Sequence, residues 1–377
     1  MREPVFASLA LAFASFGDAF LYPFLPVNNF QVGVPLVWVG VLLSINRFVR
    51  IFSNTWMVCL LASYGLRTIT IIAVTLAILS TTGYAFANAI FVWLTLRIIW
   101  GLSFSALRIS TLGYALQQQK LGLALGVSRG FQEAGPMTAL LLAPVMLKYF
   151  DSSTIFILLA FLSIPALYFA YRLPKNDDRT PAVIARTFLK FPSTFNAITF
   201  SSALLIDGIV IVVLGILFLQ YKENITLLTA TTLAALYLGY RRVCLVLFSP
   251  AGGWMADKIG LDKVFSISLG LVLIGLFTLL SGGVAVGTVI VFTFYSIHSA
   301  ITPGSVSNGH GHALQAVAEN ATWRDIGAAI GTLTGGLLIT SAHLTSVLLI
   351  LTFGLSLLLL VHIGTARKAL KFLYSWK

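Results

Sequence analysis

The chain has 377 residues, 58% of them apolar and 10% charged, with a formal net charge of +12 and a mean hydropathy of +0.95. Water-soluble domains do not reach that balance, so the composition excludes a soluble fold and predicts an integral membrane protein. The positive charge does not signal nucleic-acid binding, because it is distributed between apolar segments rather than gathered in a patch.

Apolar runs of the length a helix needs to cross a bilayer, about 20 residues, are expected at 6–26, 36–61, 67–87, 89–113, 122–147 and 153–172. After a polar stretch from Pro174 to about Lys190 they resume at 195–219, 229–254, 264–282, 284–303, 324–342 and 344–364. The alternating ten-residue segments of a transmembrane barrel are not found. Arg2 and the Ala12-Phe13-Ala14 run imitate a signal peptide, but the apolar stretch continues past Asp18 to about Pro26, so an uncleaved first helix is expected. The predicted fold is an all-α polytopic membrane protein with twelve transmembrane helices in two pseudo-symmetric six-helix bundles. Their bounds are 1–173 and 194–377, the second with a short basic tail, joined by a cytoplasmic linker over 174–193.

Of 24 Lys and Arg residues, most are placed on one side of the membrane or at helix ends facing it, Arg129 and Arg324 among them. That asymmetry puts both termini in the cytoplasm of a multi-pass cell-membrane protein, most simply a bacterial inner-membrane one. Cys59 and Cys244 lie inside apolar segments as small core residues and form neither a disulfide framework nor a metal cluster.

Three features recur at an offset of 195: Arg47 with Arg242, Gly65 with Gly260, and Arg129 with Arg324. They argue for a duplicated six-helix unit. Asp18 and Asp207 are 189 apart, as different connecting lengths would allow.

Six arginines fall in span middles, Arg47, Arg50, Arg97, Arg108, Arg241 and Arg242, against the acids Asp18, Glu133 and Asp207. An unpaired arginine at the bilayer centre costs roughly 2.5 to 3.5 kcal/mol on insertion scales, so the excess of positive charge implies a solute with a carboxylate or phosphate. Arg47, Arg242 and Arg97 are the first candidates to bind it, followed by Arg50 and Arg108; Arg241 points about 100° from Arg242 and is expected to snorkel or pair elsewhere. Asp18 shares a helical face with Ser8, Ser15 and Tyr22. Asp207 has apolar helical neighbours, Ala203, Leu204, Val210 and Ile211, which suits a proton carrier or a carboxylate locked to an arginine. Glu133 follows Arg129 by one turn and is expected to pair with it. His298 shares a face with Tyr295 and Thr302 and reads equally as a proton relay and as a packing histidine. His310 and His312 lie in a glycine-rich loop and read as solvated.

After the eighth span the chain reads Gly253-Trp-Met-Ala-Asp257-Lys258-Ile-Gly260. The glycines allow a tight turn, and Asp257 is placed to accept hydrogen bonds from a neighbouring helix N-terminus. This stretch resembles the G-x-x-x-D-[RK]-x-G loop of the major facilitator superfamily, and the resemblance covers essentially the whole chain. The counterpart from Val58 to Arg67 keeps Gly65 and Arg67 but has Ala62 at the acid. Arg97-Ile-Ile-Trp-Gly101 looks like the family's R-x-x-x-G motif, which implies a helix bordering the central cavity with its arginine tied to proton coupling. Arg108 follows by eleven residues, on the same face; paired structural charges remain the other reading. Gly126 and, after eight residues, Gly135-Pro136 are similar to the G-x(8)-G-P signature of the antiporter branch, although Ala139-Leu140 stand where a glycine pair would continue it. Gly122, Gly126 and Gly130, and again Gly327, Gly331 and Gly335, form faces for close helix packing.

The resemblance implies a proton-coupled antiporter exporting a small organic solute, with Asp18, Asp207, His298 and Glu133 as proton-coupling candidates. A proton symporter importing an organic anion is the alternative, and a transporter-like sensor or scaffold is a third. No phosphate loop, nucleophile elbow or zinc-binding helix motif occurs, so neither an enzyme nor a cofactor is expected, and the proton gradient is the energy source. The expected partners are the solute, protons and the lipid bilayer, with no nucleic acid, and the chain is expected to act as a monomer.

Overall fold

A computed structural model describes residues 1–175, 192–221, 226–308, 312–338 and 343–374. Among them, helices α1 (Arg2–Ala14), α2 (Phe16–Asn28), α3 (Leu36–Tyr64), α4 (Leu66–Tyr84), α5 (Ile90–Leu116), α6 (Leu121–Tyr149), α7 (Ser152–Ser163) and α8 (Pro165–Tyr171) come first. There follow α9 (Thr194–Ser202), a π-helical stretch (Ala203–Val210), α10 (Ile211–Tyr221), α11 (Leu227–Ile259), α12 (Leu261–Leu280), α13 (Val284–Ser307), α14 (Ala313–Leu338) and α15 (Leu344–Tyr374). Most of the linker expected at 174–193, and His310, lie outside the described residues. Among the described residues, eight helical spans are long and apolar enough to cross a membrane, with α7–α8 and α9–α10 each counted as one, or nine if the bent pair α1 and α2 is a further span. Large apolar side chains on the perimeter, such as Phe161, Phe353, Leu357 and Leu360, are more than half exposed, as a lipid-facing surface requires.

Helix ends follow the apolar runs to within about five residues, with two corrections: α15 continues to Tyr374, ten residues past the expected end at 364, and the eleventh span starts early. The eleventh span was expected from 324, but α14 begins at Ala313, so Arg324 and Asp325 lie well inside it. Arg129, also assigned to one side, is the ninth residue of α6. Both arginines belong to the helix interiors, not to the one-sided charge.

The glycine faces explain how the helices approach. A Cβ at Gly126 would strike the Ser249 carbonyl of α11, and one at Gly253 would strike the Gly122 carbonyl of α6. Pro250, inside α11, has no N–H to give the Val246 carbonyl, which faces Gly130. Gly135 instead packs against Ala12 of α1. Nine residues turn a helix through two and a half turns, so Gly126 and Gly135 serve opposite faces of α6. Gly327 and Gly331 of α14 lie against the carbonyls of Phe200 and Leu204, at the end of α9 and the start of the π stretch.

Gly65 and Gly260 form the paired sharp turns, with φ of 83° and 102°, a region that a side chain would strain. Two helices are irregular beside their acids. The axis bends by 47° between α1 and α2, where the Ser15 hydroxyl donates to the Leu11 carbonyl at 2.6 Å; Asp18 follows three residues later. Asp207 lies inside the π stretch, where an extra residue per turn turns side chains out of the usual α register.

Candidate functional site

Four carboxylates organise the interior. Asp18 is bound by the Arg97 guanidinium and receives the Asn46 amide at 3.3 Å. Arg97 is fully buried, and its Nε donates to the Leu42 carbonyl at 2.7 Å. Gly101, one turn after Arg97, lies against Val49 and the Asn46 backbone of α3, which brings the arginine within reach of Asp18. The polar stripe expected with Ser8 and Ser15 is not formed, because both hydroxyls bond to their own helix and the bend at Ser15 breaks the shared face.

Asp207 has apolar neighbours on its own helix but is paired to arginines on others, the second of the two arrangements its surroundings suggested. Arg241 pairs with it, Arg324 Nη2 lies at 3.1 Å and the Tyr295 hydroxyl donates at 2.9 Å. Glu133 pairs with Arg129 at 2.9 Å, as the four-residue spacing predicts, and also with Arg242 across the α6–α11 interface. The fourth acid, Asp325, is 5% exposed and was missed because α14 starts earlier than the sequence pattern suggests. Arg108 approaches it at 3.3 Å and Arg50 at 3.5 Å, while the Asn54 amide donates at 3.1 Å and Ser105 donates to Asn54 at 2.6 Å. The signal available in sequence was helix propensity from Ala313 to Ala321, where alanines, Leu314 and Val317 are interleaved with Gln315, Glu319 and Asn320 and extend the helix upstream.

Seven arginines therefore share four acids, and Arg47 forms no ion pair among the described residues. Its Nη1 donates to the Thr332 hydroxyl of α14 at 3.2 Å, beside a cavity of about 200 Å³ whose walls include Tyr22, Ser44, Phe48 and Leu333. The repeat explains this. Arg242 of α11 reaches Glu133 of α6; at the offset of 195, Arg47 of α3 faces α14, where Ala328 takes the place of the glutamate. Of the five substrate-binding candidates, Arg97, Arg242, Arg50 and Arg108 are tied to carboxylates, and Arg47 keeps an uncompensated charge.

His298 Nδ1 lies 3.3 Å from the Phe265 carbonyl, with its ring against the Phe265 ring at 4.5 Å. At the α11 turn, the Asp257 carboxylate receives the Gly122 and Leu123 N–H groups at 2.7 and 2.8 Å, and Lys258 stacks on Trp254. Asp257 thus caps the N-terminus of α6 from another helix, where the helix dipole favours an anion. Replacing Asp257 with Ala is expected to cost about 1 kcal/mol, the usual value of a lost cap. The expected readout is a small fall in thermal unfolding temperature, and one absent from the variant Lys263→Ala, which removes an exposed cation near the start of α12.

The arrangement of helices is shared with solved transporters. The human organic anion transporter MFSD10 (TETRAN) superposes with a TM-score of 0.76 at 15% identity, covering 95% of this chain and 99% of that one. An E. coli Fucose:proton symporter, FucP, gives 0.72 at 15% identity, covering 94% and 96%. A bacterial homologue of the iron transporter ferroportin in an outward-facing state gives 0.71 at 13% identity, covering 97% and 100%. The chain has the major facilitator fold. No protein-family model and no curated protein matches the sequence. Within the facilitator fold, the ion pairs Arg242–Glu133 and Arg108–Asp325 join residues from either side of the 174–193 stretch, so the charge network ties the first part of the chain to the second.

Proposed function

We propose that the chain is a secondary transporter of twelve spans, in two six-helix bundles over 1–173 and 194–377, with both termini in the cytoplasm of a cell membrane. It exchanges protons for a small organic solute that carries an anionic group and needs no cofactor. The observation that carries this reading is Arg47, a membrane-depth guanidinium beside a cavity with no carboxylate partner among the described residues. An anionic group docking there would complete the pairing that Glu133 gives Arg242, and a planar fork of donors suits a carboxylate or phosphate. The likeness in fold to an organic anion transporter supports the same substrate class.

Alternating access would part α6 from α11 and α3 from α14, releasing Asp257 from α6. Asp18 and Asp207, each next to a helix irregularity, are the proposed proton carriers, loading when Arg97 or Arg241 and Arg324 withdraw. Glu133 and His298 are the secondary candidates for coupling.

The test is counterflow of labelled organic anions into proteoliposomes of sealed, purified protein. Arg47→Gln should raise the KM for an anionic solute about tenfold or more while leaving the thermal unfolding temperature close to the wild-type value, since one uncompensated charge is lost and no ion pair is broken. Unchanged KM and unchanged preference for anions would remove the assignment of Arg47. A pH-sensitive dye inside the vesicles separates the two modes of coupling: protons moving against the solute mean antiport, and protons moving with it mean symport.

A further inference from the structure

A second, smaller cavity lies between α5, α6, α9, α13 and α14, distinct from the one beside Arg47. Arg108, Arg129 and Arg324 line it together with Ser128, Gln132 and His298, and no carboxylate is among its walls. Its volume is about 50 Å³, room for a small ion or a few waters but far below the several hundred cubic ångströms of an organic-ligand pocket.

Each of the three arginines shares its carboxylate with another. Arg108 shares Asp325 with Arg50, Arg129 shares Glu133 with Arg242, and Arg324 shares Asp207 with Arg241. These six guanidiniums and three acids carry a net charge of three positive, and three of the six guanidiniums face the chamber, at a depth where uncompensated charge is costly. Ser128, on the chamber wall, is 1% exposed and its hydroxyl has no partner; the Arg129 Nε–H is also unpaired. A buried hydroxyl and a buried N–H without acceptors, next to surplus positive charge, describe a site that lacks an acceptor carrying negative charge.

We propose that this chamber binds a small monovalent inorganic anion, chloride under cellular conditions. Water would satisfy the Ser128 hydroxyl but leave the charge in place. Sulfate, with two charges on five heavy atoms, costs more to desolvate and fills the roughly 50 Å³ less readily than a single halide. The anion bridges α5 and α6 to α13 and α14, helices on opposite sides of the repeat offset, and so stabilises the arrangement in which they are packed together. The proposal does not depend on the chain being a transporter.

The experiment uses the purified full-length chain in gluconate buffer at constant ionic strength, titrated with sodium chloride, sodium bromide or sodium sulfate. Chloride and bromide should raise the thermal unfolding temperature and saturate, and Ser128→Ala, a change too small to prevent folding, should weaken the apparent affinity about tenfold through the lost hydrogen bond to a charged group. Bromide soaked into crystals should give an anomalous peak inside the chamber. The proposal is overturned by a flat chloride titration, or by a non-saturating rise that is identical in wild type and Ser128→Ala, as a general salt effect would give. Equal saturation by sulfate, or a chamber holding only waters in bromide, would overturn it too.

Discussion

Asp325→Asn is expected to be the most damaging single substitution in the chain. Its carboxylate is 5% exposed and is the anion for both Arg50 and Arg108. Taking its charge away leaves two guanidiniums buried between α3, α5 and α14 with only the neutral Asn54 amide and the Phe104 ring, over which Arg50 sits at 4.7 Å, as company. Removing one partner of a buried ion pair costs about 3 to 5 kcal/mol, because the surviving charge stays desolvated. Here two survive, so the variant should accumulate poorly and unfold at markedly lower temperature. The double variant Asp325→Asn with Arg108→Gln should recover a substantial part of the loss, since one orphaned charge goes with the acid. Wild-type thermal stability in Asp325→Asn would show that the pairs seen here do not hold the three helices together.

Much of the helical layout was legible in the sequence because bilayer thickness sets a length that apolar runs must reach. The start of α14 was not. Its first turns carry Gln315, Glu319 and Asn320 among small residues, and their polarity hides a helix whose hydrogen bonds run inward: Asn320 donates to Asn196 and Thr199 at 2.9 Å. That boundary error removed Asp325 from the charge count and misplaced Arg324. The pairing of Glu133 with Arg129 was readable because both groups are on one helix, one turn apart. Glu133 with Arg242, and Asp325 with Arg108, were not readable, because helical periodicity fixes which face a residue occupies and says nothing about which helix it meets.

The repeat also carries geometry more faithfully than chemistry. Arg241 and Asn46 are at the offset of 195, and each binds the acid in the preceding span, Asp207 and Asp18 respectively, but one brings a charge and the other an amide. Asp257 caps α6, while Ala62 holds the equivalent position after α3. Glu133 compensates Arg242, while Ala328 leaves Arg47 uncompensated. In every case the two positions lie at the offset of 195 and only one of them supplies the charge. Positions matched in sequence thereby differ in their field, leaving Arg47 uncompensated and Arg108, Arg129 and Arg324 facing the chamber beside Ser128.

Gly126→Val should be nearly as damaging, for a reason that involves no charge. A Cβ at this position falls on the Ser249 carbonyl of α11 and within about 3 Å of the Pro250 backbone, so the obstacle is main chain and cannot swing aside. Overpacking against movable side chains typically costs about 1 to 3 kcal/mol, and a rigid backbone places this case at or beyond the top of that range. Gly126→Ala should already be harmful, although alanine is the better helix former by about 1 kcal/mol. The control is Gly354→Ala in α15, where a Cβ meets nothing within 4 Å and propensity alone should leave stability unchanged or improved. Separating α6 from α11 also pulls Glu133 from Arg242 and the Gly122 N–H from Asp257, so Gly126→Val should lose the proposed solute counterflow as well as thermal stability. If Gly126→Val and Gly354→Ala melt alike, the close contact between α6 and α11 is not part of the stable fold.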